Sequence, residues 1–198
     1  MSEIKVIPFQ KKREVRTMCK VLSRIHNKTA EQLLKESGVY NTLPVDITKI
    51  AKHIGISVIP SDLSNIPSNG HEILGLVVTN GENAAIYYKQ NDTYPQIRFT
   101  IAHELAHCCD IDPNTDEPHI EYRRSKKDNN ELEERMDRFA EELLIPYGQI
   151  IHIYNSLILP DLKTLANLFA VPVNAMRNRL DHLRISYLDE ERNPVFYE

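Results

Sequence analysis

His103, Glu104 and His107 stand as His-Glu-x-x-His within Arg98-Phe99-Thr100-Ile101-Ala102-His103-Glu104-Leu105-Ala106-His107. On an α-helix, histidines four positions apart lie one turn apart on one face, where two imidazole nitrogens reach a single zinc ion. Glu104 projects beside them, and a carboxylate at that place is not a ligand but a base that takes a proton from the attacking water. Ile101, Ala102, Leu105, Ala106, Cys108 and Cys109 gather on the opposite side of the wheel, so the histidines are expected to look away from the core. The same pentapeptide also occurs on ordinary amphipathic helices with solvated histidines. A third ligand is therefore required.

The continuation excludes one class. A metzincin has a glycine and then a third histidine after the second motif histidine, and here those places hold Asp110 and Pro113. Residues 110–130 are polar and broken by proline, and they read as a loop. A strong helical pattern then covers Asn130 to Ile145 and offers Glu131, Glu133 and Glu134 as ligands. Relative to the apolar stripe of Leu132, Met136, Phe139, Ala140 and Leu143, Glu133 borders the core and Glu134 points outward. Asp137 follows Glu133 by four residues on the same flank, where it can accept the second ring N–H of a liganding histidine. An exposed acidic face would account for any one of these glutamates taken alone.

The elements that must carry these groups are legible on either side. Thr29 to Gly38 and Val45 or Asp46 to Gly55 read as helices stopped by glycine. Ile56 to Ile59 reads as a strand halted at Pro60. Ile73 to Val78 and Ala84 to Tyr88 flank Asn80-Gly81, a hairpin signal. The motif helix should start near Tyr94 to Gln96, with Pro95 suited to its first turn, and end near Cys109. Asp161 to Leu180 contains two helical patterns around a short turn, resembling a helix-turn-helix. There Arg177, Asn178 and Arg179 could face DNA, while Leu162, Leu165, Phe169, Met176, Leu180 and Leu183 describe packing. Residues 5–28 are locally basic, but Val15, Met18, Cys19, Leu22 and Ile25 recur at helical spacing, which favours a solvated amphipathic helix over a basic arm. His26, His53 and His71 lack partners at ligand spacing and read as surface or packing residues.

Bulk properties set the outer limits. The 198 residues suffice for one compact domain with a small appendage, and 41% apolar with 26% charged residues is ordinary for a globular protein. Three cysteines make no disulfide framework, and the first residues show no secretory signal, so a cytoplasmic protein without a membrane span is expected. The net charge of −4 argues against a broad nucleic-acid-binding face.

Taken together, Leu43-Pro44-Val45-Asp46-Ile47, the Arg98–His107 stretch, Glu133-Glu134-Arg135-Met136-Asp137-Arg138-Phe139-Ala140-Glu141-Glu142-Leu143-Leu144-Ile145-Pro146 and Leu165 to Leu180 resemble the ImmA/IrrE metallo-endopeptidases, in order and approximate spacing, over residues 29–184. Met136, where alanine is usual, and Cys108-Cys109 are mild departures. The resemblance implies zinc on His103, His107 and Glu133 with Glu104 catalytic. It further implies a repressor protease of phages or mobile elements, whose protein substrate is a helix-turn-helix transcriptional repressor.

The expected fold is α+β: a gluzincin-like domain with a small three-stranded mixed sheet, the His-Glu-x-x-His helix and a C-terminal helix-turn-helix-like pair. The expected units are a basic amphipathic segment over 1–28, a metallopeptidase domain over 29–155 and a helical subdomain over 156–198. A non-proteolytic module that keeps the fold but docks a repressor or DNA is the alternative. For an oxyanion-stabilising group the candidates are His119, Tyr122, Tyr147 and Tyr154, and the Ala84 to Tyr88 strand is a candidate edge for pairing with an extended substrate.

Overall fold

A computed structural model describes residues 19–66, 72–79, 83–113, 120–124, 131–156 and 159–197, with backbone only for 120–124. Helices α1 (Lys20–Ile25), α2 (Ala30–Glu36) and α3 (Ile47–Ile54) come first. Each of the last two starts where its sequence supplies a cap. Thr29 and Gln32 form a reciprocal capping box on α2, and the Asp46 side chain accepts from Lys49 N at 3.0 Å on α3. A cap of this kind contributes about 1 kcal/mol. Gly38 and Gly55 end the two helices in the left-handed region, at φ 67° and 88°, as the glycine stops suggested. Within α1, Leu22 and Ile25 are buried, with Cys19 just before it. Val15, Met18 and most of the basic run lie outside the described residues.

Strands β1 (Ser57–Ser61), β2 (Ile73–Thr79), β3 (Ala84–Lys89) and β4 (Ile120–Arg124) form one sheet in the order β1-β3-β2-β4. The first three make the expected mixed sheet, parallel between β1 and β3 and antiparallel between β2 and β3. Asn80-Gly81, the hairpin signal between these two strands in sequence, lies outside the described residues. Three sequence readings are corrected here. The first strand runs through Pro60, which pairs with Tyr88; a proline is tolerated there because β1 is an edge strand with a ladder on one side only. The stretch read as a loop contributes β4, paired antiparallel with β2; its alternation of Ile120 and Tyr122 with Glu121 and Arg123 is at the shortest length for a strand signal and sits in a polar run. And β3 is interior, so its ladder sites are taken on both sides and it offers no edge to a substrate.

Helix α4 (Tyr94–Asp110) lies against β2 and β3, and α5 (Glu131–Leu144) lies along it. After Pro146 come α6 (Tyr147–Tyr154), α7 (Leu162–Phe169) and α8 (Val173–Leu183), and then the short pair β5 (Tyr187–Leu188) and β6 (Pro194–Val195). One hydrophobic cluster runs from Cys19 through α4 and α5 to Tyr187. Leu162, Leu165, Phe169, Met176 and Leu180 are buried in it, which is the packing role their spacing implied. Among the described residues, no helix is long and apolar enough to cross a membrane.

Candidate metal centre

The core face of α4 is the one its wheel predicts, since Ile101, Ala102, Leu105, Cys108 and Cys109 all join the hydrophobic cluster. The opposite face is not solvated, however. His103 is 1%, Glu104 0% and His107 2% exposed, so the expectation that the histidines simply look away from the core is corrected. A wheel describes one helix and cannot register that α5 and the sheet close over its polar side. Burying three titratable groups together is costly unless each finds a partner.

For the two histidines those partners come from α5. His103 Nε2 lies 3.2 Å from Glu133 Oε2, His107 Nε2 lies 3.4 Å from Glu133 Oε1, and the two Nε2 atoms are 3.2 Å apart. Three donors ~2.0–2.2 Å from one tetrahedral ion have separations close to these edges. Among the described residues, His103, His107 and Glu133 form the cluster that could hold a metal ion. Of the three glutamates in this turn, Glu131 and Glu134 are exposed and Glu133, the one favoured by the wheel, is half-buried. All three sit in the first turn of α5, where acidic side chains suit the positive end of the helix dipole; only the flank of Glu133 meets α4. Burial of Glu133 works against its ionisation, but hydrogen bonds from His103 and His107 outweigh it and hold the carboxyl well below the usual carboxylate range. It therefore meets a cation already ionised at neutral pH.

Asp137 stands four residues further along α5, and His103 donates Nδ1–H to its Oδ1 at 2.9 Å. With Nδ1–H held by Asp137, loss of the proton that Nε2 shares with Glu133 would leave the Nε2 lone pair facing Glu133 and His107, the tautomer a cation needs. Asp137→Asn is expected to weaken metal affinity by about 10–100-fold, measured by competition with a chromogenic chelator, with little change in the far-UV circular dichroism.

Gly75 is a residue the sequence reading did not single out. A Cβ built on it would sit 2.5 Å from Thr100 Cγ2 and 2.8 Å from Glu104 Oε1. The β2 backbone is thus the wall against which the Glu104 carboxylate rests, and the β2–β4 register shifts between Ile73 and Gly75 at the same point. A lone glycine inside an otherwise apolar strand is a signal of close backbone approach. Gly75→Ala should displace Glu104 without touching the metal ligands. The expected result is a loss of roughly a hundredfold in turnover, since a shift of ~1 Å in a catalytic group costs that much, with metal affinity in chelator competition largely kept.

Other candidate groups are placed elsewhere. Tyr147 is 61% exposed on the wall of a separate cavity with Tyr40 and Arg179, and Tyr154 packs against the hydrophobic cluster. Tyr122 falls on β4, opposite Leu76, where only the backbone is described; His119 and His71 lie outside the described residues. His26 donates Nδ1–H to Ile111 O at 3.0 Å and His53 is exposed, so both fill the packing or surface roles expected of them. Cys108 and Cys109 are buried, and burial pushes the Cys109 thiol up to about 12 and Cys108 well above its ordinary value. They pack rather than react.

The three side chains that could have faced DNA are bound within the protein. Asn178 Nδ2 donates to Glu141 Oε1 at 3.1 Å, and Arg179 Nε donates to Ile145 O at 3.2 Å while pairing with Glu142. Arg177 pairs with Glu190.

Comparison with protein families matches residues 51–181, well over half of the chain, to the IrrE N-terminal-like domain. A search of curated proteins finds no match. The matched span begins in α3, takes in the sheet, α4 and α5, and ends in α8, so it contains the whole metal cluster and the strand that backs Glu104. The chain belongs to the metallopeptidase family of the IrrE N-terminal-like domain.

Proposed function

We propose that the protein is a zinc-dependent endopeptidase that cleaves a regulatory protein, a helix-turn-helix repressor of a phage or mobile element, and so derepresses transcription. The observation that carries the catalytic part is the triangle of buried His103 and His107 with half-buried Glu133, and Glu104 beside the two histidines on α4. Two imidazoles and one carboxylate are a zinc donor set that leaves a coordination position open to substrate.

In this reading His103, His107 and Glu133 hold zinc, and Asp137 orients His103. Bound there, zinc would supply Lewis acidity toward the scissile carbonyl and the attacking water. Glu104 takes a proton from that water and later hands it to the leaving amine. Its position against Gly75 restrains the carboxylate between those two steps, and its burial limits competing exchange with bulk water. The substrate class rests on the resemblance of the motifs to repressor proteases.

Co-expression with a helix-turn-helix repressor of a phage or mobile element, followed by mass analysis, tests both parts. Two fragments whose masses sum to the repressor plus one water are expected with the wild type, and intact repressor with Glu104→Gln. Intact repressor in both would overturn the substrate. Derepression by Glu104→Gln without cleavage would favour the non-proteolytic module.

A further inference from the structure

On the side of α4 away from the metal centre, a cleft of about 770 Å³ opens between α3, the β1 and β3 strands and the first two turns of α4. Tyr94, Ile97, Arg98 and Ile101 reach it from α4 at helical spacing, and none of the metal-centre residues lines it. Most of its wall is apolar or aromatic, including Ile47, Val58 and Tyr88. Its volume and lining are those of a small-molecule site.

Arg98 is the anomaly in that wall. It is 4% exposed, and its Nε donates to Ala170 O at 3.0 Å, at the C-terminal end of α7. Its Nη2 is buried with no hydrogen-bond partner, and among the described residues no carboxylate pairs with it. The negative end of the α7 dipole offsets part of the charge, but a guanidinium has five N–H donors and among the described residues this one has a single acceptor, Ala170 O. Buried cations without an anion are disfavoured, and a planar carboxylate is the anion that a guanidinium receives in two parallel hydrogen bonds. Asp46 lines the same cleft but is committed to capping α3, through Lys49 N at 3.0 Å and Thr48 Oγ1 at 2.8 Å. Lys52 adds a second cation to the wall. Tyr94, 62% exposed, lies over the guanidinium at 5.5 Å and is the cover that must turn aside for an anion to reach it.

We propose that this cleft is a binding site for a small organic acid with an apolar body, its carboxylate taken by Arg98 and its body by the Ile47, Val58, Ile97 and Ile101 wall. The site is independent of the peptidase reading, because binding there requires neither metal nor turnover.

The test is calorimetric titration of the full chain with phenylacetate and with its uncharged isostere phenylacetamide. Phenylacetate should bind about tenfold or more tightly than the amide, because the amide forfeits a charge-assisted pair. Arg98→Gln should abolish that preference. Thr48→Trp, which leaves Arg98 in place and fills the cleft from an exposed wall position, should weaken phenylacetate to the same extent, so a folding defect in the first variant does not decide the matter. Equal affinity for acid and amide, undetectable binding of both at ~10 mM, or unchanged phenylacetate affinity in Thr48→Trp would each overturn the proposal. Inorganic phosphate competing as strongly as phenylacetate would overturn the assigned ligand class.

Discussion

Glutamine in place of Glu104 is expected to leave metal content unchanged and to lower peptide cleavage by roughly 10²–10⁴-fold, the usual contribution of a positioned general acid–base group. The substitution keeps the volume of a side chain that is 0% exposed and wedged against the β2 backbone at Gly75, so folding should be little affected. It removes only the ability to accept a proton. Metal analysis and a fragment assay on the same preparation separate the two effects. Full cleavage by Glu104→Gln would sink the assigned role, whereas loss of both metal and cleavage would mean that Glu104 belongs to the metal site itself. Gly75→Ala provides an independent approach to the same carboxylate, since it moves the group instead of changing its chemistry.

Alanine in place of Glu133 should produce the opposite pattern, with loss of the metal and of cleavage together. A first ligand matters more than the groups that orient it, so metal affinity should fall by roughly a hundredfold or more. The same substitution at Glu131 or Glu134, both exposed on the same turn of α5, is expected to leave affinity within about threefold, because an exposed carboxylate contributes only a screened long-range attraction. Chelator competition across the three variants reads the difference directly. A fall at Glu134 with none at Glu133 would show that α5 is rotated relative to α4 from the arrangement described above.

Local signals account for most of what could be read ahead of the structure. Thr29, Asp46, Gly38 and Gly55 set helix ends because capping and positive-φ conformations are properties of a few adjacent residues. The α4 and α5 boundaries fell within a residue or two of their expected places for the same reason. β4 is hard to read locally because Ile120 and Tyr122 alternate with Glu121 and Arg123 over only four residues inside a polar stretch, and pairing with the β2 edge is what makes it a strand. β3 was misjudged as an edge for the matching reason, since strand order is set by non-local pairing. The helix-turn-helix-like pair illustrates a different gap: its spacing was visible, but the engagement of Asn178 and Arg179 by α5 depends on how α8 packs.

By itself, the sequence determined that a helix carries His103, Glu104 and His107 on one side, that a second helix offers acids four residues apart, and that both have apolar stripes to bury. Those are consequences of a 3.6-residue period and of side-chain chemistry, which need no knowledge of the rest of the chain. The wheel and the motif resemblance already favoured Glu133, but only the tertiary structure set it against the histidines, because the rotations of Glu131, Glu133 and Glu134 about α5 gain meaning from where α4 lies. It also decided that the site is buried and that Gly75 must lack a side chain, since both follow from the close approach of elements far apart along the chain.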